Sequence, residues 1–491
     1  MRPFAKASQY MTLAILAVLA GCALPATRNQ PTSVARDLNS TSPLVAKIAE
    51  ARPQCPTTPV ASQVSYQVPR ATDQPQLTAS EPATAQSAYH SDDPYDLFDG
   101  QAELSVEQLV AEVQARNPSL QAASAAWRAA AARYPQAVSL DDPMFAYMIG
   151  PRGVGMDNGG GWMVEASQKL PWPGKRALRG NAASADADAM RGDIGDVRLR
   201  LSEAAQMAFY DYYLARREME VNVSTRRLIT QFREIAWNKY QVNQTTQQDA
   251  LQADVELAAL ESRQTELTRD EKIAMARINT LLHREADHPL PPPPVEIRPL
   301  DSLPPAETLQ QTAAECRPDL FAAQARVRAE EANYALARRE YYPDLSVVAK
   351  YDGFMPEDMR PQVGMELNVP LQRSRRSAAV REASERLQQR RAEYQERLDQ
   401  VRFEVQSAFD RAAQSQRVIH LYEEKILPAT QRSVESAVAN YTSGKLDFLR
   451  LLDSERQVYS QREMYYQAIA EYHRRLAELD RAAGKLVRVN P

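Results

Sequence analysis

Apolar residues recur along this chain in two alternating rhythms. From Leu104 onward, small and aliphatic side chains return at three- and four-residue steps. Val197, Leu201, Ala204 and Ala208 form one such stripe, and Leu398, Val401, Val405, Ala408 and Ala412 form another. That spacing predicts helices packed as coiled coils. Between the helical stretches the period drops to two. Phe145, Tyr147 and Ile149 oppose Met144, Ala146 and Met148, and Trp162, Val164, Ala166 and Leu170 oppose Glu165, Ser167 and Lys169. Further along, Leu345, Val347, Ala349 and Tyr351 oppose Ser346, Val348, Lys350 and Asp352. Val363, Met365, Leu367 and Val369 then oppose Gln362, Gly364, Glu366 and Asn368. One apolar and one polar face at period two predicts strands, either of a barrel between lipid and water or of a half-buried soluble hairpin. Gly153, Gly155, Gly159 to Gly161, and the stretch 353–361 predict the turns between them.

These rhythms occur twice. Shifting the chain by about 200 positions lays Pro118, Leu120, Ala122, Ala123, Ala125, Arg128, Ala129, Tyr134 and Pro143 on Pro318, Leu320, Ala322, Ala323, Ala325, Arg328, Ala329, Tyr334 and Pro343. Pro171 meets Pro370 and Tyr240 meets Tyr441 after small insertions or deletions. The chain therefore reads as a tandem duplication. Each copy predicts a leading helix (about 104–140 and 306–341) that ends where Pro143 or Pro343 cannot continue it. Two strands follow, then a very long helix (174–241 and 374–442). At about 1.5 Å per residue such a helix reaches on the order of 100 Å. A tight turn and a return helix (246–283 and 446–484) close each copy. The predicted division is a signal peptide over 1–21, a mostly disordered tether over 22–100, and a first repeat over 101–287. A Pro-rich stiff connector over 288–305, a second repeat over 306–484 and a short tail over 485–491 complete it.

Charge changes this picture little. Lys and Arg number 59 against 63 Asp and Glu, a formal net charge of −4. The two signs are interspersed, so no basic footprint for nucleic acid is present in the sequence. Arg2, Lys6 and the apolar run 11–20, too short to span a bilayer, lead to Leu19-Ala20-Gly21-Cys22, which resembles a bacterial lipobox. That resemblance implies cleavage before Cys22 and acylation of its thiol and new amine. Ala23, in place of a retaining aspartate, implies the outer membrane. Cys55 and Cys316 are too few for a disulfide framework, although an oxidising periplasm would permit one bridge between them; Cys316 is expected to pack as a small hydrophobe and Cys55 to be a loop thiol. His283 and His288 straddle a predicted helix end and read as polar linker, not as metal ligands. No phosphate loop, metalloprotease His pair or Ser-His-Asp grouping is present, so neither an enzyme nor a cofactor is expected.

Four strands per chain cannot close a barrel, and an open edge in hydrocarbon leaves unpaired backbone groups. Self-association must supply the rest, and two copies (eight strands) and three (twelve) both satisfy that demand. The order of elements, duplicated, is similar to the TolC family of outer-membrane factors. The resemblance is carried by Asn117-Pro118, by 168–176 (Gln-Lys-Leu-Pro-Trp-Pro-Gly-Lys-Arg), and by the turns 239–243 and 440–444 with their Leu-rich sequels. It implies a mainly α fold with a small β part: long coiled-coil helices forming a trimeric α-barrel, with four strands per chain completing a twelve-strand membrane β-barrel. It implies an exit duct whose partners are a periplasmic adaptor, an inner-membrane pump and outer-membrane lipids, the helical part lying in the periplasm. The adaptor-facing tips are then Tyr240, Val242, Asn243, Tyr441 and Gly444, with Asn243 departing from the glycine found in the second turn. Glu435, which corresponds to Glu234 in the first copy, falls near a family position for an acidic ring at the periplasmic gate. An exposed carboxylate pairing with Arg432 or Lys445 is the competing reading.

Cargo is read from thioethers. Met144, Met148 and Met163 fall on the polar, lumen-side face, whereas Met365 looks outward. Soft sulfur suits Cu(I), and the Pro-Trp-Pro-Gly-Lys-Arg stretch resembles the heavy-metal branch of the family, so metal cations are one expected cargo. Methionine is also a common apolar filler. Organic solutes, a secreted protein, and a non-pore coiled-coil lipoprotein are the alternatives.

Overall fold

The computed structural model describes residue 98 and residues 101–150, 161–300 and 302–485. Its elements run in the duplicated order. The first copy contains α1 (Val106–Arg116), α2 (Pro118–Ala131), α3 (Arg133–Val138), β1 (Met144–Gly150), β2 (Gly161–Leu170), α4 (Lys175–Gln241) and α5 (Gln247–Leu281). The second contains α6 (Ala306–Cys316), α7 (Pro318–Arg339), β3 (Asp344–Asp352), β4 (Pro361–Asn368), α8 (Arg373–Leu421), α9 (Leu427–Thr442) and α10 (Phe448–Ala483). A π-turn over Tyr422–Ile426 joins α8 to α9. Among the described residues, no helix is long and apolar enough to cross a membrane.

Three expectations need correction. The leading helix is three helices in the first copy and two in the second, and the break they share falls at Asn117 and at Arg317, because Pro118 and Pro318 lack the N–H that would continue the ladder and hold their predecessors extended. Those break residues share a task. Asn117 donates from Nδ2 to Leu281 O at 3.0 Å, and Arg317 from Nη1 to Ala482 O at 3.2 Å. Each thereby satisfies a carbonyl in the last turn of its own copy's return helix. The second long helix is interrupted too. Buried Leu201, Ala205 and Ala208 correspond to Val401, Val405 and Ala408 at a shift of 200, whereas Ala236 corresponds to Ala437 at 201. The extra residue is taken up by the π-turn, next to Pro428, which cannot donate into the helix. Finally, Cys316 is disulfide-bonded and not a packed thiol. Its partner lies outside the described residues. Such pairing is set by how the folded backbone approaches itself, which sequence spacing does not reveal.

The chain divides into two compact units. One comprises Trp127–Met190 and Ala323–Tyr394 and contains the sheet. Its strands run in the order β1-β2-β3-β4, every neighbour antiparallel, so β1 and β4 are edges within one chain. The other unit holds the described parts of Cys55–Ala126, Arg191–Ala322 and Gln395–Pro491. Its core is helical. Leu104, Leu109 and Val113 of the first copy pack with Leu201, Ala205, Phe209, Tyr212, Ile278 and Ala470. A second cluster joins Phe232, Ala236, Ala250 and Leu260 to Tyr441, Phe448, Leu451 and Leu452.

The return helices of the two copies face each other through residues 200 positions apart. Arg456 reaches Glu256 at 2.6 Å and Arg263 reaches Glu463 at 3.3 Å.

Candidate functional site: a two-faced sheet and two helical turns

The strand register assigns every side chain to a face. One face carries Phe145, Tyr147 and Ile149 of β1; Trp162, Val164, Ala166 and Leu170 of β2; Leu345, Val347, Ala349 and Tyr351 of β3; and Val363, Met365 and Leu367 of β4. On the edge strands these side chains are open to the surroundings, Phe145 being 74% exposed and Val363 77%, whereas on β2 and β3 all but Trp162 are half-buried. Exposing so large an apolar face to water is unfavourable at about 25 cal/mol per Å². Gln168 is the polar exception on this face, and it donates from Nε2 to Asp141 O at 2.7 Å.

Aromatic pairs border the face at both ends. Trp162 stacks on Tyr351 at 4.9 Å between centroids, and Trp172 on Tyr342 at 5.4 Å. The two tryptophans are ten positions apart, one near the start of β2 and the other two residues past its end. At about 3.3 Å per residue and a tilt near 40°, that is a band about 25 Å tall, the height of the apolar girdle of an outer-membrane barrel.

The opposite face is polar. Glu165 stands directly across from Lys350, and Lys350 from Gln362; Lys169 pairs with Ser346, and Ser346 with Glu366. The three methionines lie on this face. Met148 is directly opposite Met163, which is in turn opposite Asp352, while Met144 faces Ser167. Among the described residues no group of three or more His, Cys, Asp or Glu could hold a metal ion. Thioethers, with Asp352 beside them, are what this face offers a soft cation.

Two residues here escaped sequence reasoning. Lys175 is almost wholly buried at the start of α4 and binds Asp344 at 2.8 Å, Tyr342 O at 3.0 Å and Glu340 at 3.5 Å. It fastens the first copy's long helix to the second copy's first strand. Phe354 lies over Gly150 and Gly161, where any Cβ would come within 2.6 Å of its ring. The Gly-Lys pair of the strand-to-helix stretch was the available signal for Lys175; nothing local marks Phe354.

The two tight turns share one hydrogen-bond pattern. Asn243 N–H donates to Tyr240 O and Gln244 N–H to Lys239 O; Gly444 N–H donates to Tyr441 O and Lys445 N–H to Asn440 O. The pivotal residue is left-handed in each, with φ 60 at Asn243 and 76 at Gly444. Asparagine tolerates that conformation and glycine adopts it freely. The turns differ in their tyrosines. Tyr240 is half-buried near Trp237, whereas Tyr441 is 4% exposed, packed against Phe448 and capped by Lys239, whose Nζ sits 4.2 Å from the ring centre. Burial, with Asp249 and Asp447 nearby, pushes the Tyr441 hydroxyl up to about 12. Tyr441 is thus buried within its turn, whereas Val242 and Gly444 are open at the turn surface. Glu435 is exposed and accepts from Gln431 Nε2 at 3.1 Å, not from Arg432 or Lys445. Glu234 is exposed as well. Cys22 lies outside the described residues.

The family model of outer membrane efflux proteins matches residues 309–485. The cobalt-zinc-cadmium resistance protein CzcC of Cupriavidus metallidurans is 22% identical over 320 residues, covering 64% of this chain and 74% of that protein. The outer-membrane channel OprN has a TM-score of 0.66 at 20% identity, covering 80% of this chain and 94% of OprN. CusC, described in connection with transmembrane channel formation, has a TM-score of 0.67 at 17% identity, covering 86% and 99%. With the duplicated helix-strand-helix order and the exposed apolar sheet face, these matches show that the second copy is similar in sequence to outer membrane efflux proteins and that the chain shares the fold of OprN and CusC.

Proposed function

We propose that the chain is the outer-membrane exit duct of a tripartite efflux pump, passing solutes received from an inner-membrane transporter and a periplasmic adaptor to the exterior. The sheet carries this reading. Four strands with one exposed apolar face, one polar face and two open edges are complete only when β4 of one copy pairs with β1 of another and lipid covers the apolar side. An eight-strand barrel is filled by its own side chains, whereas twelve strands leave a lumen, so three copies serve a duct and two do not. Lipidation at Cys22 adds an anchor. Val242, Asn243 and Gly444 are the adaptor-facing points, with the helical part in the periplasm. Three copies of Glu435 around an axis favour cations at the gate, as charged rings do in channels.

Metal cations are the cargo this reading favours, supported by the similarity to a cobalt-zinc-cadmium resistance protein and by Met148 facing Met163 on the polar side. The test is deletion of the gene followed by growth on cobalt, zinc, cadmium, copper and silver beside a panel of antibiotics. Sensitivity to metals is expected. Sensitivity confined to organic compounds ends the metal reading and leaves a drug duct, and loss of a secreted protein alone points to a secretion duct.

A further inference from the structure

We propose that the arginines where the strands give way to the long helices, Arg373 and Arg375 foremost, bind the phosphate headgroups of anionic phospholipids in the leaflet bordering the helices. This rests on the barrel reading above. The apolar side of β4 does not stop at the strand. Val369 and Leu371 continue its alternation, and Leu371 is 83% exposed. A turn closed by Arg373 N–H on Leu371 O then starts α8. Its first residues include Arg373 and Arg375, both exposed. The stacked and exposed Trp172 and Tyr342 border the same end of the apolar face. Apolar side chains, then paired aromatics, then guanidinium groups follow the order in which a bilayer presents acyl chains, interface and phosphate.

The charges at this end are unbalanced. Most of its carboxylates are already engaged: Glu340 holds Lys175 and Arg376, Asp344 holds Lys175 and Lys169, and Asp141 lies 4.0 Å from Lys169, leaving exposed Asp142, two residues before β1. Among the described residues, Arg373 and Arg375 form no ion pair. Neither α4 nor α8 has an acid in its first turn, although the positive end of a helix favours acids there and disfavours cations. Intramolecular electrostatics does not explain this placement; an anion from outside does. Guanidinium forks suit phosphate oxygens, and one that follows an exposed apolar band meets phosphate carried on lipid.

The test uses full-length trimers carrying equal phosphatidylglycerol and phosphatidylcholine, with retained lipid counted by native mass spectrometry. Each basic residue near an anionic surface contributes about a fivefold preference, so R373Q/R375Q should lower the glycerol-over-choline ratio about 25-fold. Arg402→Gln, far along the same helix and paired with Asp399, should leave the ratio unchanged. Millimolar inorganic phosphate should not displace the lipid; displacement would show a free-phosphate site and overturn the assignment to lipid. An unchanged ratio in the double variant, or no preference in the wild type, overturns the proposal while channels still conduct in phosphatidylcholine bilayers. If wild-type protein neither inserts nor conducts, the barrel reading fails and takes this one with it.

Discussion

Replacing Arg317 by Ala probes how the second copy is held closed on itself. The buried guanidinium donates from Nε and Nη2 to Asp319 at 2.9 and 2.8 Å, and from Nη1 to Glu404 at 2.6 Å and Ala482 O at 3.2 Å. Arg397 stays on both carboxylates after the change, at 2.7 Å from Asp319 and 3.0 Å from Glu404. The loss is therefore one carbonyl orphaned and two carboxylates half-deprived, about 2–4 kcal/mol, below the range for a buried charge left wholly alone. Asn117→Ala removes one neutral bond to the matching place in the first copy, about 1 kcal/mol, besides two local bonds that its Oδ1 accepts from Ser119 N and Oγ. Amide hydrogen exchange reads both locally. The last turn of α10 should exchange about 30- to 1000-fold faster in the Arg317 variant, and the last turn of α5 about fivefold faster in the Asn117 variant. Equal effects, or an α10 acceleration under about threefold, refute the reasoning. The pH dependence has a definite sign. Burial raises the Asp319 carboxyl, but hydrogen bonds and charge from Arg317 and Arg397 outweigh it and hold it below its ordinary 3.8. The clamp is then fully present above that value and is lost as pH falls below it.

Three further outcomes are expected. Reversing Glu256 to Arg should destabilise by about 1 kcal/mol, and the swap E256R/R456E should recover most of it; a swap no better than the single change, in thermal melts, refutes a specific pair. Glu455 is almost wholly buried on α10, and burial pushes its carboxyl up with Arg462 offsetting only part. Its charged form is therefore a cost that is absent below the ordinary 4.5 and grows as pH rises, so Glu455→Gln should raise the melting temperature at neutral pH and lose that gain in acid. Glu435→Gln should lower cation selectivity in bilayer conductance, and unchanged selectivity disposes of the acidic ring.

Much of this was legible in the chain because period-two and period-3.6 patterns are local. The alternation at 144–149 and 162–170 marks which side chains share a face, and the observed register agrees; that Met148 stands opposite Met163 on that face is added by the structure. The left-handed Asn243 and Gly444 were legible for the same reason: turn chemistry is written in adjacent residues. What escaped depends on distant partners. The two tyrosines of the turns look equivalent in sequence, yet only Tyr441 is closed over by a lysine from the other copy. Lys175 and Cys316 are likewise given their partners by the folded chain, and an inserted residue in a long helix leaves no trace in its composition.

That inserted residue bears on how the two copies can diverge. One added residue in an uninterrupted α-helix turns everything beyond it by about 100°, which would point Ala437 and Tyr441 away from the cluster they belong to. The bulge at Tyr422–Ile426 acts instead as a phase corrector: it widens one turn, absorbs the residue and returns the helix in step. It is therefore removable in principle. Deleting Glu424 together with Pro428→Ala, which restores the missing donor, should yield an unbroken helix with the same inward stripe. Deleting Glu424 alone forces Pro428 into regular geometry at a cost of about 3 kcal/mol. A length change between duplicated halves can thus be accepted or reversed in this helix without altering which side chains meet.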